Sequence, residues 1–413
     1  MPTAKPKTAK PKSSPSKAAP PILNIKNLGP IKEASIEFGN LTVLVGPQAT
    51  GKSLILQMLK LCLDGKNIAR ELQTQGYQVN TSQRFLEQYL GEGMAECWHR
   101  ETAVVFKKKL LLLEDVTATT PGRATWLVQE VYYVPAQRSL AMSGGWPRLF
   151  SEFSDTPPFV LRRYSKHLLS MLSSRSPDWL FQAATKTEMA APVWNKIEET
   201  IFRGGWLYID TDGPRKQLKL SHNGAQPAFS SWSTGQREFI PLILAHERLI
   251  ALNNRKKPGW VVLEEPELGL HPQAILAAML VVMDLLQRGY KVAISTHSPL
   301  VLDVVWALGK LQHWRKHVKT ADVLALFGHL PTNKATRALA EAALAADCRV
   351  YYMDDHDGKG ITSRDVSALD PGSDDNGIAG WGGLTGVSSQ ISDVVGRLAV
   401  RAEAAGDDDS EEG

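Results

Sequence analysis

Several short stretches of this sequence have the residue types and spacing to do chemistry on phosphates. The first is Gly46-Pro47-Gln48-Ala49-Thr50-Gly51-Lys52-Ser53. It follows an apolar run at residues 41–45 that reads as a strand buried on both faces. It precedes Leu54, Ile55, Met58, Leu59 and Cys62 at helical spacing. Strand, glycine loop and helix in that order make a phosphate cradle. Gly46 and Gly51 let the backbone turn and bring its N–H groups onto phosphate oxygens. The helix start adds the positive end of its dipole. Lys52 offers a point charge to the β- and γ-phosphates, and the Ser53 hydroxyl is placed for Mg2+. Residues 46–54, Pro47, Gln48, Ala49, Thr50 and Leu54 included, are the expected nucleotide contacts.

Paired carboxylates come next. The buried strand at residues 260–263 runs into Glu264-Glu265-Pro266-Glu267. Glu264 can hold Mg2+, because hard cations take oxygen ligands. Glu265 can orient and deprotonate water for in-line attack. The plainer alternative is a charged helix entry. Ser233, Gly235 and Gln236 stand at a helix start, where a hydroxyl and backbone N–H groups form an anion site. The same residues would also serve as an ordinary cap. His297 ends a third strand, residues 292–295, and taken alone it reads equally as a structural histidine. Gln137 follows a strand at residues 128–135, and Arg138 beside it is an alternative phosphate or interface contact.

The elements that must position these residues alternate between strand and helix. Two short alternating runs flank Gly29-Pro30 and predict a hairpin leading into the glycine-loop strand. The spacing predicts a helix opened by residues 230–238 and running to about 251, helices at residues 272–287 and 320–346, and hairpins at residues 206–220 and 348–366. Residues 107–113 stay ambiguous between strand and helix, and residues 389–405 read as a last helix. Polar residues at the ends of apolar strands indicate an α/β fold with a mostly parallel sheet and its ligand at the carboxyl edge. The chain divides into a basic tail (1–21), a core part with the glycine loop (22–139), and a helical insertion with a hairpin (140–225). A second core part (226–320), a C-terminal extension (321–405) and an acidic tail (406–413) follow.

The composition of the 413 residues, 43% hydrophobic and 22% charged, is that of an ordinary soluble protein. A formal charge of +4 does not by itself argue for nucleic acid, although the two ends have opposite sign. The lysine-rich leader reads either as a solvated tail or as a nucleic-acid contact. Three scattered cysteines lack metal-ligand spacing and suit a reducing compartment. No run is long and apolar enough to span a bilayer and no secretory signal is visible, so a cytoplasmic protein with no membrane partner is expected.

Together these strand ends resemble the ATP-binding cassette ATPase family, with motifs at five places in order over residues 22–303. The resemblance implies ATP and Mg2+ as cofactors and a P-loop core with an antiparallel β part. Gln137 matches the family's Q-loop glutamine, which reaches the Mg2+ and the attacking water. Ser233-Thr234-Gly235-Gln236 looks like the signature, with Trp232 replacing its leucine. Leu263-Glu264-Glu265 looks like the Walker B strand, and His297 matches the switch histidine. In the family one subunit's signature faces another's phosphate loop, which implies an ATP-sandwiched homodimer or higher oligomer.

The Leu28-Gly29-Pro30-Ile31 opening, Val134-Pro135-Ala136-Gln137-Arg138-Ser139 and Ser295-Thr296-His297-Ser298-Pro299 are similar to the OLD/RecF-like branch of AAA family ATPases. That branch implies a molecular switch in anti-phage defence with a separate protein effector, or alternatively a repair or chromosome-maintenance ATPase acting on double-stranded DNA. A transporter subunit fits less well, since Glu264 stands where transporters carry Asp. Asp355-His356-Asp357 offers only the later half of a Toprim nuclease cluster, and a hairpin Asp-Gly is the alternative.

Overall fold

The computed structural model describes residues 19–118, 129–150, 157–174, 191–213, 215–252, 257–355, 358–386, 392, 394–397 and 400. Most of the basic tail, the whole acidic tail, residues 356–357 and about two thirds of the helix expected at 389–405 lie outside the described residues.

The first hairpin forms where the alternation places it. β1 (Ile22–Leu28) and β2 (Ile31–Glu37) pair antiparallel around Gly29-Pro30. β3 (Leu41–Val45) is buried at every position, as a strand covered on both faces must be. The chain then adds β4 (Trp98–Phe106), β5 (Lys109–Leu110) and β6 (Val131–Val134). Lys107 and Lys108 form the turn between β4 and β5, which resolves the ambiguous stretch as a short hairpin. Two small hairpins follow, β7 (Met142–Ser143) with β8 (Trp146–Pro147), and β9 (Trp206–Asp210) with β10 (Gln217–Ser221). The last strands are β11 (Trp260–Glu264), β12 (Lys291–Thr296), β13 (Cys348–Asp354) and β14 (Ile361–Asp365).

Ten of these strands form one sheet in the order β5-β4-β1-β2-β14-β13-β3-β12-β11-β6. From β6 to β13 every pairing is parallel. The β13–β14, β2–β1, β1–β4 and β4–β5 pairings are antiparallel, so the fold is α/β with a parallel block and an antiparallel flank. On sequence, residues 348–366 read as a hairpin in an extension. The structure inserts that hairpin into the sheet, with β13 beside β3 and β14 beside β2.

The sheet separates two cores. Leu41, Val43, Val45, Val134, Leu263 and Ile294 face one of them, where the helices Thr234–Ile250 and Pro272–Gln287 pack. Leu44, Tyr133, Val262 and Ala293 face the other, under the helix Lys52–Thr74. The insertion helix Phe159–Ser173 buries Tyr164, Leu168 and Leu172 in the first core, so its apolar face is part of the main body. Among the described residues no helix is long and apolar enough to cross a membrane.

Candidate nucleotide site

The parallel block puts the ends of β3, β11, β12 and β6 side by side, and the sequence-marked residues sit on those ends. β3 stops at Gly46, whose φ is +148°. A Cβ there would lie 2.2 Å from the Met353 carbonyl of neighbouring β13, so only glycine fits. Pro47, Gln48 and Ala49 are exposed at the loop tip, with Ala49 itself left-handed at φ 61°. The Thr50 hydroxyl donates to the Pro47 carbonyl at 2.9 Å and closes the turn. Gly51, at φ +83°, is the N-cap of the helix Lys52–Thr74, and a Cβ there would press on Ile31. That helix start has no side-chain cap and no acidic residue in its first turn. Its N–H groups and dipole are thus offered to an anion. Leu54 is buried behind the loop.

Lys52 folds its ammonium into the loop, where Nζ donates to the Gly46 and Pro47 carbonyls at 2.8 and 2.6 Å. Burial lowers its pKa to about 8, while the charges of Glu265 and Glu267 act in the opposite direction.

Glu264 is 5% exposed at the end of β11. Its Oε2 accepts from the Ala136 amide at 3.1 Å. Oε1 is buried without a well-formed hydrogen bond. Burial raises the Glu264 pKa, and the nearby Ser53 and Tyr133 hydroxyls partly offset that rise. A buried carboxylate with a spare oxygen beside an exposed serine hydroxyl is a donor set suited to a hard divalent cation. Ser53 and Glu264 are therefore the residues that could hold magnesium.

Glu265 stands at φ 42°, a left-handed conformation in which a non-glycine residue is strained. Its amide donates to the Ser295 carbonyl at 2.9 Å. Its carboxylate, 30% exposed, lies 3.7 Å from His297 Nε2. Burial and the charge of Lys52 lower the His297 pKa, against the opposing pull of Glu267. At neutral pH His297 is consequently an uncharged imidazole facing a carboxylate.

Two residues central to this geometry have roles that the sequence did not disclose. Glu267 Oε1 accepts from the Thr296 hydroxyl at 2.7 Å and from the His297 amide at 2.8 Å, and so fixes the end of β12. On sequence Arg138 is an alternative phosphate or interface contact, and its burial corrects this. It is 0% exposed, and its fork donates to the carbonyls of Glu238, Glu264 and Glu265 at 2.8, 2.9 and 3.1 Å. An arginine after a strand end gives no sign of burial until the tertiary partners are known. Gln137 is exposed at the start of the short turn that Arg138 opens.

Ser233, Gly235 and Gln236 are brought together with one another, and among the described residues no hydrogen bond joins them to the phosphate loop. Ser233 caps the helix Thr234–Ile250 in a reciprocal box with Gln236. A Cβ at Gly235 would meet the Gly269 carbonyl at 2.9 Å, so the turn packs on the loop that follows Glu267. Ser233 and Thr234 are exposed, and Trp232 is buried beneath them with its indole donating to Pro227.

Two family models match the chain. One, described as "AAA ATPase domain", covers residues 22–111. The other, described as "AAA domain, putative AbiEii toxin, Type IV TA system", covers residues 171–303. No curated protein matches the chain. Among solved structures it is similar to the SMC head domain from Thermotoga maritima, at 11% identity and a TM-score of 0.33, over 83% of this chain and 97% of that one. It is also similar to an Smc head bound to the C-winged helix domain of ScpA, at 10% identity and 0.35, over 83% and 96%. A dimeric bacterial ABC transporter cassette is similar at 12% identity and 0.31, over 67% and 88%. The first matched stretch contains the glycine loop with Lys52, and the second contains Ser233, the paired glutamates and His297. Both matched models are of AAA domains, and they support a P-loop ATPase of that type.

Proposed function

We propose that the protein is a magnesium-dependent ATPase working as an ATP-sandwiched dimer, a molecular switch of anti-phage defence that acts on a separate protein effector. The observation that carries the dimer is that the two half-sites stand on different elements with no hydrogen bond between them among the described residues. Lys52, Ser53, Glu264, Glu265 and His297 gather at one edge of the sheet, while Ser233 and Thr234 stand exposed on a different element. A second copy would bring its turn to this edge and complete the anion site. The description of the matched family, with its toxin–antitoxin wording, supports the defence reading.

Within one site the chain's own residues divide the work. The loop amides and Lys52 bind and orient the phosphates, and Ser53 and Glu264 hold the metal. A magnesium ion held by these two residues would supply positive charge to the phosphate oxygens. Glu265 orients the attacking water and takes its proton, and His297 keeps the Glu265 carboxylate in place.

Mixing two inactive variants tests the sandwich. Lys52→Ala spoils the loop half, and Ser233→Arg spoils the turn half. A mixed dimer holds one composite site with both halves intact, so the mixture should regain hydrolysis that neither variant shows alone. A mixture as inactive as its components would rule out shared sites. For the biological role, cells carrying the gene with its neighbouring reading frames should resist phage, and Lys52→Ala should abolish that resistance. Equal plaque counts with both would remove the defence reading.

A further inference from the structure

The turn Trp381-Gly382-Gly383 touches two elements that carry the nucleotide site. All three residues are left-handed, with φ of 51°, 65° and 78°. Glycine takes that conformation freely, but a residue as bulky as tryptophan is an outlier there. Such strain persists only where the surroundings enforce it. Trp381 is 4% exposed, and its indole Nε1 donates to Asp303 Oδ1 at 2.7 Å. Its ring lies against Trp306, with centroids 6.1 Å apart. Asp303 and Trp306 both belong to the helix Pro299–His313, which begins two residues after His297.

On its other side the turn packs on the sheet. A Cβ at Gly382 would lie 2.7 Å from the Tyr352 ring on β13 and 3.1 Å from Cγ1 of Val45, the last residue of β3. Val45 is followed directly by Gly46 of the phosphate loop. One turn thus spans from the strand that carries the loop to the helix that follows the histidine. The chain leading into it is anchored as well. Asp370 pairs with Lys310 on the same helix at 3.2 Å, while Asp375 pairs with Arg364 on β14 and accepts from the Gly377 amide at 2.9 Å. Of the two polar ties to the helix, through Asp303 and through Lys310, the one from Trp381 is nearer in sequence to His297.

The His297 backbone is fixed from one side by Glu267, which accepts from its amide. On the other side it runs through Ser298 into the helix start, which has no side-chain cap. Where that helix lies therefore decides how the imidazole meets Glu265, 3.7 Å away. We propose that Trp381 is a positioning residue of the nucleotide site. Through Asp303 it holds the helix behind His297 and so keeps the imidazole facing the Glu265 carboxylate. The proposal rests on the roles given to His297 and Glu265 above.

The test compares three variants of the full chain. Trp381→Phe keeps a ring against Trp306 and removes the N–H donor. Asp303→Leu removes the acceptor, and Asp303→Asn keeps one. Trp381→Phe and Asp303→Leu should each lose about tenfold or more in kcat per folded molecule. KM for ATP should stay within about twofold of wild type, since Gly382 still packs beside Val45. Asp303→Asn should keep most of the turnover. Adding Trp381→Phe to His297→Ala should cost little more, because both changes act on one group. With no nucleotide present, amide exchange in Trp381→Phe should quicken at residues 297–303 and stay as in wild type at residues 48–53.

A merely structural Trp381 would lower the melting temperature and leave kcat per folded molecule unchanged. The proposal alone is overturned if Trp381→Phe turns over like wild type while His297→Ala is slow. It is also overturned if Asp303→Asn falls as far as Asp303→Leu, if the losses of Trp381→Phe and His297→Ala multiply, or if exchange at residues 297–303 does not change. A His297→Ala variant as fast as wild type would remove the role given to His297, and this proposal with it.

Discussion

Arg138 Nη2 donates to the Glu265 carbonyl at 3.1 Å, while Glu265 itself holds a left-handed backbone at φ 42°. The same guanidinium reaches the carbonyls of Glu264 and Glu238. Glu238 lies on the helix that Ser233 caps, and its carboxylate accepts from the Ser139 hydroxyl. One buried side chain thus ties the strained turn at Glu265 to the helix carrying the exposed Ser233 turn. Lysine cannot replace it, because a compact ammonium cannot bridge three carbonyls fixed by separate elements. Arg138→Lys should cost about 3 kcal/mol or more in urea unfolding, as expected when a buried charged network is broken. ATP turnover per folded molecule should also fall, because the Glu265 turn loses a restraint. Normal turnover in a destabilised variant would make Arg138 a stability residue only.

Glu265→Gln keeps the shape of the side chain and removes the base. It should bind ATP normally and hydrolyse about 10²–10⁴ times more slowly in single-turnover assays. Lys52→Ala should instead weaken ATP binding, and for two reasons. It removes the charge for the phosphates and also the donor to the Gly46 and Pro47 carbonyls. If Glu265→Gln turned over at the wild-type rate, another residue would have to activate the water.

Glu267 is the support behind His297. Removing its carboxylate leaves the buried Thr296 hydroxyl and the His297 amide without their acceptor. Glu267→Ala should therefore destabilise the fold by about 1–3 kcal/mol. It should lower the turnover number more than it raises KM for ATP, because the loop amides and Lys52 remain in place. A change confined to KM would show that Glu267 acts on binding through its charge at Lys52.

What the sequence disclosed and what it hid follow from range. The glycine loop was legible because its chemistry is local: glycines, lysine and serine within eight residues, between a β-branched run and a helical pattern. β11 and β12 were legible because an apolar run ending in polar residues has few other readings. The helix Thr234–Ile250 starts where its capping residues place it. The insertion of β13 and β14 between β3 and β2 was not legible, since period-2 alternation sets a strand's faces and not its neighbours. Lys60 and Asp64 were equally hidden. On sequence they are two charges four apart on a helix, an exposed pair by habit. The structure buries both, and Asp64 accepts from the Glu130 and Val131 amides at the start of β6.

The buried imidazole of His167 makes the stability of the fold depend on acid in a definite direction. Its ring stacks on Tyr132, with centroids 5.1 Å apart. Burial first, and then the charges of Arg163, Arg248, Lys60 and Lys166, hold its pKa well below the ordinary 6.5. The folded protein therefore keeps His167 neutral at a pH where the unfolded chain has begun to protonate it. Below 6.5 the unfolded state binds the extra proton, so stability falls as pH drops from 6.5 toward the folded pKa. Above 6.5 this contribution is fully present and flat. One such group gives a slope of at most about 1.4 kcal/mol per pH unit. His297, also shifted downward, adds in the same direction. Urea unfolding of wild type between pH 7 and pH 5 should show the loss. His167→Phe, which keeps a ring against Tyr132, should show a shallower decline over the same interval. Identical slopes for the two would mean that His167 takes up its proton in the folded state, with the surrounding cations displaced or compensated.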